Sequence, residues 1–248
     1  MTIYDLHCHS TFSDGVTSIE YLMEKAAGGG YKTGIADHLF CEKNETLEDI
    51  TRYLDHACSL GIPVGGEANI DLPFDMPDRM LNRFDYIVAS VHQIITEDAP
   101  FIFGRWFAMR CGIIKDWPGY NKGRAYEYLN TAYKMIKHHM ETYPIDILGH
   151  CCAMPCYDDV PYWSREMIDW ENDIIALCKK HNVAMEITSM FCSPYERMLR
   201  NAKKEGIKFS FASDAHRLED IGNLKYSIEM AELLELTDDN LFLPKHRG

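Results

Sequence analysis

Side chains that could bind a metal ion, called donors below, occur two positions apart near both ends of this chain. His7 and His9 form the first pair, and Asp214 and His216 repeat the spacing near the end. In an extended strand, side chains two positions apart lie on the same face, so each pair can present two donor atoms to one metal ion. Asp14 follows the first pair and can add a carboxylate oxygen. Alone, the first pair is equally compatible with a polar strand edge.

Four further runs between these pairs also end in a donor, which favours the metal site. These donors are His38, Glu67, His92 and His150. One catalytic ion needs three or four protein ligands, so nine donors with a bridging carboxylate suit three ions better than one. The mixture of imidazole and carboxylate fits zinc, manganese or iron. Asp37 is a candidate hydrogen-bond acceptor behind these ligands, and Glu186 either closes a hydrogen-bond network or acts directly.

Strand-like and helical patterns alternate along the chain and would position these donors. Strands are predicted over residues 2–7, 34–38, 63–67, 85–92, 145–150, 184–188 and 208–214. Helices are predicted over residues 18–27, 45–60, 123–142, 164–181 and 194–205. This alternation predicts an α/β fold with a parallel sheet, and the length suits a closed barrel within one domain over residues 1–248. The donors then lie at the carboxyl ends of the strands, where such barrels build their active sites.

Residues 93–122 interrupt this alternation. The segment is rich in aromatic residues, proline and glycine, and it directly follows His92. It is too long for a simple connection and too aromatic for a disordered linker. We consider two interpretations, a packed surface excursion and a wall or lid over the active site.

The composition limits the class of partner. The net charge of −13 argues against nucleic acid as a general partner, because there is no basic surface to neutralise phosphates. Bound metal ions could still supply local positive charge for an anionic substrate. No apolar run approaches the roughly 20 residues of a membrane span, so no membrane partner is expected. The polar start and nine scattered cysteines predict no signal peptide, reduced thiols and a cytoplasmic location.

The donor motifs resemble those of the PHP (polymerase and histidinol phosphatase) family. They read Asp5-Leu6-His7-Cys8-His9 with Asp14-Gly15, Asp37-His38, Gly66-Glu67, Val91-His92, Gly149-His150 and Ser213-Asp214-Ala215-His216. The resemblance runs from residue 5 to about residue 216. It implies a distorted (β/α)7 barrel with a site for two or three divalent ions at its carboxyl face. It also implies hydrolysis of phosphoesters.

The resemblance also implies how the ligands divide among the ions. The first ion would be held by His7, His9, Glu67 and Asp214, and the second by Glu67, His92 and His150. The third would be held by Asp14, His38 and His216. The order of the motifs is most similar to that of histidinol-phosphate phosphatases. Residues 151–155 read Cys-Cys-Ala-Met-Pro, however, where that branch commonly has a Leu-Asp-Leu-like segment, so the substrate stays open among small phosphorylated metabolites.

The chemistry expected of such a site needs no protein nucleophile. Two close ions lower the pKa of a shared water and clamp the phosphoryl oxygens. We therefore assign catalysis to five of the donors, His7, His9, Glu67, Asp214 and His216. Arg217 is either a surface charge or a contact to the substrate phosphate. Cys8, Cys151 and Cys152 adjoin ligands and are interpreted as packing residues.

Three rival functions remain at this point. The first is a phosphodiesterase or exonuclease on nucleic-acid ends, which the acidic charge disfavours. The second is a hydrolase of C–N bonds similar to amidohydrolases, which generally need a strand-four lysine where this chain offers Glu67 on strand three. The third is a non-catalytic metal-binding or sensing module, which would not need the complete donor set.

Overall fold

Parallel strands form the centre of the molecule. The computed structural model describes residues 1–41, 43–95, 100–102 and 120–244. Its strands are β1 (Tyr4–Asp5), β2 (Lys32–Thr33), β3 (Ile35–Leu39), β4 (Val64–Asn69), β5 (Tyr86–Ser90), β6 (Gln93–Ile95), β7 (Pro100–Ile102), β8 (Ile147–Leu148), β9 (Ala184–Thr188) and β10 (Phe209–Ala212). Eight of them form one sheet in the order β2-β1-β10-β9-β8-β5-β4-β3, and every pairing within it is parallel.

The sheet closes at Gly34. β2 pairs with β1, whereas β3, which begins after this single glycine, pairs with β4. The amide of Ala36 also donates to the carbonyl oxygen of Cys8 at 3.1 Å and so links the two edges. β2 and β3 therefore behave as two pieces of one strand, and the barrel has seven positions around its wall. This confirms the predicted (β/α)7 barrel.

Helices surround the barrel. They are α1 (Ile19–Gly29), α2 (Leu47–Ser59), α3 (Asp78–Leu81), α4 (Ala125–Thr142), α5 (Pro155–Asp159), α6 (Arg165–His181), α7 (Glu196–Lys204) and α8 (Lys225–Leu233). Each of the five predicted helices, α1, α2, α4, α6 and α7, lies within two residues of its expected bounds. Their apolar faces are buried, as in α2, where Ile50, Tyr53, Leu54 and Ala57 recur at helical spacing. α3 and α5 were not predicted, because helices of four or five residues show little periodicity, and the nine-residue α8 was also missed.

Apolar side chains fill the barrel interior beneath the strand ends. They are Leu6, Ala36, Tyr86, Val88, Ile147 and Ala184. The buried hydroxyl of Tyr86 donates to the carbonyl oxygen of Leu6 at 2.7 Å and lies 3.1 Å from that of Ile35. A Cβ atom at Gly34 would lie 2.4 Å from this hydroxyl, and one at Gly65 would lie 2.3 Å from the ring. The two glycines therefore make room for the tyrosine that closes the floor of the site.

The segment over residues 93–122 begins with an antiparallel pair. β6 pairs with β7, so that Gln93 lies opposite Ile102. Residues 96–99 and 103–119 lie outside the described residues, and the wall or lid stays a prediction. Within the described ranges, no helix combines the length and the apolarity that a membrane span requires.

Candidate metal centre

The strand ends bring all nine predicted donors to one end of the barrel. His7, His9 and Asp14 follow β1, His38 and Glu67 lie in β3 and β4, His92 follows β5, His150 follows β8, and Asp214 and His216 follow β10. Six of them are buried, whereas His92 and His216 are partly buried and Asp14 lies at the exposed rim. The structure thus assembles in space the donors that the sequence distributes over more than 200 residues.

Four short distances link the atoms of the donors predicted for the first ion. His7 Nε2 lies 3.3 Å from Glu67 Oε2 and 3.7 Å from Asp214 Oδ1. His9 Nε2 lies 3.6 Å from the same Glu67 oxygen and 3.2 Å from the same Asp214 oxygen. Ligands about 2.1 Å from a tetrahedral ion are about 3.4 Å apart. These are the four residues expected for the first ion.

The second carboxylate oxygen of Glu67 faces a different pair of histidines. Glu67 Oε1 lies 3.2 Å from His92 Nε2 and 3.2 Å from His150 Nε2. The carboxylate thus presents one oxygen to each of two neighbouring donor sets. This arrangement suits a ligand that bridges two ions.

The remaining donors lie around Asp14 at the rim of the site. Asp14 Oδ1 lies 3.3 Å from His216 Nε2, 3.7 Å from His38 Nε2 and 3.8 Å from His9 Nδ1. The other nitrogen of the His38 ring, Nδ1, lies 2.9 Å from Glu67 Oε2. The ring of His38 therefore lies between the rim donors and the bridging carboxylate, a position that strand-end spacing does not predict.

Hydrogen bonds behind the donors fix their orientation. Glu186 Oε2 accepts from His7 Nδ1 at 2.7 Å, which directs His7 Nε2 towards the centre. His216 Nδ1 lies 2.9 Å from the backbone oxygen of Asp214, so its Nε2 faces Asp14. Glu186 thus closes a hydrogen-bond network, one of the two roles considered for it. The alternation of inward and outward side chains along β9 could have indicated this position.

Asp37 supports the site by holding the loop after β1. It accepts from the amide and the hydroxyl of Ser10 at 2.8 and 2.6 Å and from the hydroxyl of Ser13 at 2.5 Å. The donors of these hydrogen bonds are one backbone amide and two serine hydroxyls, and none of them is an imidazole. Asp37 therefore fixes the loop that carries Asp14.

The backbone at the site is constrained. Asp214 has a φ of 52°, in the left-handed region that costs an ordinary residue about 1–3 kcal/mol. A Cβ atom at Gly15 would lie 2.3 Å from the backbone oxygen of His9, so the loop can only fold this closely around a glycine. His150 is a second donor with an unusual backbone conformation, at a φ of 20°.

The donor charges shift one another's pKa values. Burial acts to raise the pKa of Glu67, but the histidines around it, His7 first, hold it well below its usual range. Burial and then the neighbouring His216 and His38 lower the pKa of His9 to about 3, so its ring is neutral and available as a ligand. Burial would lower the pKa of His216, yet the carboxylate of Asp14 raises it to about 9.

The donor set fits divalent metal ions. Among the described residues, His7 Nε2, His38 Nδ1 and Glu67 Oε2 are buried and make no hydrogen bond. They face one another at distances that an ion would explain. Burying carboxylates such as Glu67 and Asp214 is costly unless positive charge compensates them. Three groups of donors lie close enough to hold ions, namely His7/His9/Asp214, His38/Glu67/His92 and His9/Asp14/His38/His216. They differ from the expected sets, because Glu67 lies outside the first group and His38 takes the place of His150 in the second.

The remaining predicted residues lie around the centre. Arg217 is half-exposed, and its guanidinium faces two carboxylates: Nε lies 2.9 Å from Asp220 Oδ2, and Nη1 lies 3.3 Å from Glu219 Oε1. Cys8, Cys151 and Cys152 are buried. Burial raises the pKa values of the Cys8 and Cys152 thiols well above their usual range, as for packing residues rather than nucleophiles.

Comparisons with known proteins agree with this geometry. A probable phosphatase of Aliivibrio fischeri is 26% identical over 218 residues, which cover 83% of this chain and 70% of that protein. The DNA polymerase/3'-5' exonuclease PolX of Bacillus subtilis is 25% identical over 245 residues, 92% of this chain but only 36% of that protein.

A solved structure shares the fold. It is a histidinol phosphate phosphatase of Lactococcus lactis, determined with zinc, L-histidinol and phosphate, and it superposes with a TM-score of 0.66 and 17% identity. The match covers 100% of this chain and 98% of that one. The family model described as PHP domain matches residues 5–190, well over half of the chain. The chain therefore belongs to the PHP domain family.

Proposed function

We propose that this protein is a metal-dependent phosphatase that hydrolyses a phosphate monoester of a small metabolite. The observation that carries the proposal is the position of Glu67. Its two oxygens lie 3.2–3.6 Å from donors of two adjacent sets, His7 and His9 on one side and His92 and His150 on the other. Paired ion positions about one carboxylate are typical of phosphoester hydrolysis.

We assign the donors to the ions as follows. His7, His9, Glu67 and Asp214 would hold the first ion, Glu67, His92 and His150 the second, and Asp14, His38 and His216 the third. When bound, the ions would polarise the phosphoryl group and lower the pKa of a water. Zinc, manganese and iron all suit these donors, and the zinc in the Lactococcus lactis structure supports the first of them.

The protein's own groups would orient the substrate at the rim. Asp14 and His216 are the donors nearest to solvent, with side chains 36% and 30% exposed, so the phosphate would enter beside them. Arg217 directly follows His216 and begins on the same side of the barrel. Its Nη1 would exchange Glu219 Oε1, which lies 3.3 Å away, for a phosphate oxygen, while its Nε stays with Asp220.

Histidinol phosphate is the first substrate to test. The Lactococcus lactis structure with L-histidinol and phosphate supports it, while residues 151–155 depart from the usual segment of that branch. The PolX relative raises nucleic-acid ends as a second candidate, and the net charge of −13 disfavours it. We also propose that the chain acts as a single domain in the cytoplasm, where its cysteines would stay reduced. All eight cysteines in the described ranges are free thiols.

A hydrolysis assay tests the proposal. Purified protein loaded with zinc or manganese should release phosphate from p-nitrophenyl phosphate, and His9→Ala and Asp214→Ala should abolish the release. His56→Ala serves as control, because this histidine lies on α2 and pairs with Glu20 outside the site. A parallel assay with bis-p-nitrophenyl phosphate tests the diesterase alternative. Activity that survived the loss of Asp214 would contradict the proposal.

A further inference from the structure

Glu186 lies in the barrel wall, and the proposed ligand sets do not include it. Its neighbours in β9, Met185 and Ile187, pack into the apolar core outside the barrel. Because side chains alternate along a strand, Glu186 projects into the barrel interior. It is fully buried, at 0% exposure. Acidic side chains are almost never fully buried unless they are paired.

Both oxygens of Glu186 are engaged, each by a different ligand residue. Oε2 accepts from His7 Nδ1 at 2.7 Å. Oε1 accepts from the backbone amide of His150 at 2.9 Å. The rings of His7 and His150 are stacked, with centroids 5.8 Å apart and planes inclined by 14°. One carboxylate thus holds a side chain of the first donor set and the backbone of the second.

We propose that Glu186 is a positioning residue that ties the first and second metal positions together. By accepting from Nδ1, it keeps the proton of His7 on that nitrogen and leaves Nε2 free to bind an ion. By accepting from the amide of His150, it fixes a residue whose φ of 20° is unusual for a side chain other than glycine. The inference rests on the metal centre of the proposed function, but it does not depend on the substrate.

The charge around Glu186 supports this role. Within the described part of the chain, no lysine or arginine lies within 4.0 Å of Glu186, and its only ion pair is with His7. The groups that face the buried carboxylate are the ring of His7 and the amide of His150, and they hold it in the empty protein as well. Metal ions in the neighbouring positions would add compensating positive charge. Replacing Glu186 should therefore cost more stability with metal than without it.

Glu186→Gln tests the proposal, with Glu171→Gln as the matched control. Glu171 is equally buried and accepts from the Tyr157 hydroxyl and from Arg197 Nε, both at 2.8 Å, away from the site. A glutamine at position 186 keeps the shape but presents one NH₂ group to a donor. It must therefore either switch the tautomer of His7 or lose the contact to His150.

Zinc affinity is measured by competition with a chromophoric chelator, and the number of bound ions by elemental analysis. We expect Glu186→Gln to weaken binding about 10- to 100-fold at two positions, and Glu171→Gln to bind as the wild type does. Cobalt absorption bands should change only in Glu186→Gln. Glu186→Gln should lower the melting temperature more in the zinc-loaded protein than in the metal-free protein. Unchanged zinc affinity, or an equal loss of stability with and without metal, would overturn the inference.

A second measurement needs no variant. In the zinc-loaded wild type, ¹⁵N histidine spectra should show the proton of His7 on Nδ1, and a proton on Nε2 would overturn the inference. If the wild type binds zinc with these properties but hydrolyses no phosphate monoester, the proposed function fails while the role of Glu186 stands. If it is an active phosphatase whose Glu186→Gln variant binds zinc normally, only the inference fails.

Discussion

The buried ring of His139 makes the stability of this protein depend on pH in a way that can be calculated. His139 lies on the inner face of α4, is 1% exposed, and packs between Phe74 and Tyr143, at centroid distances of 6.4 and 4.8 Å. Its Nε2 makes no hydrogen bond to any described residue. Burial first, and the charge of His138 second, lower the pKa of His139 to about 4.

The sign and size of the effect follow from this pKa. As the pH falls through about 6.5, the unfolded chain takes up a proton at His139 while the folded protein does not. The contribution of neutral His139 to the free energy of unfolding is therefore fully present above about pH 6.5. It decreases progressively as the pH falls to about 4. The loss from this residue is about 2 kcal/mol at pH 5 and about 3 kcal/mol at pH 4.

The perturbation is His139→Phe, which keeps an aromatic ring but cannot be protonated. Urea unfolding of both proteins at pH 7.5 and pH 5 gives the free energies of unfolding. When the pH falls from 7.5 to 5, the free energy of unfolding of the variant should rise by about 2 kcal/mol relative to that of the wild type. Tyr126→Phe is the control, because this exposed aromatic residue of the same helix should change the difference by less than about 0.5 kcal/mol. A difference between His139→Phe and the wild type that did not vary with pH would refute the reasoning.

Three further predictions concern the site and its supports. Gly15→Ala should displace the loop that carries Asp14 and lower kcat at least tenfold, because the alanine Cβ would lie 2.3 Å from a backbone oxygen. Gly28→Ala is the control, because its Cβ would have no atom within 4 Å. Tyr86→Phe should lower the free energy of unfolding, measured with urea, by about 1–3 kcal/mol, because it removes the buried hydrogen bond from the hydroxyl to the carbonyl oxygen of Leu6. No change would show that the hydroxyl is dispensable. Arg217→Ala should raise KM for the phosphate substrate about tenfold with little change in kcat. Arg200→Ala is the control, because this arginine is exposed and its loss should change neither constant. An unaltered KM in Arg217→Ala would show that Arg217 does not contact the substrate.

The sequence predicts the ligand cluster well because one geometric rule governs it. His38, Glu67, His92 and His150 each end an apolar run, and the carboxyl ends of parallel strands meet at one face of a barrel. The distances between the donor atoms depend instead on the twist and the ends of the strands. The ring of His38, between Asp14 and Glu67, could not be placed by counting residues.

Other features depend on contacts between distant residues. The burial of His139 fits its spacing of three from the buried Ile136, which places both on the inner face of α4. The interruption between β2 and β3 at Gly34 reflects the hydroxyl of Tyr86, which lies more than 50 residues away in sequence. Such a contact leaves no local pattern.

The central claim is that nine side chains form one centre for several metal ions. Anomalous diffraction from crystals of the zinc- or manganese-loaded protein tests it most directly. The account predicts separate anomalous peaks among His7/His9/Glu67/Asp214, among Glu67/His92/His150 and among Asp14/His38/His216, with Glu67 in contact with the first two. A fully loaded crystal with no peak at Glu67, or with ions bound only elsewhere, would contradict it.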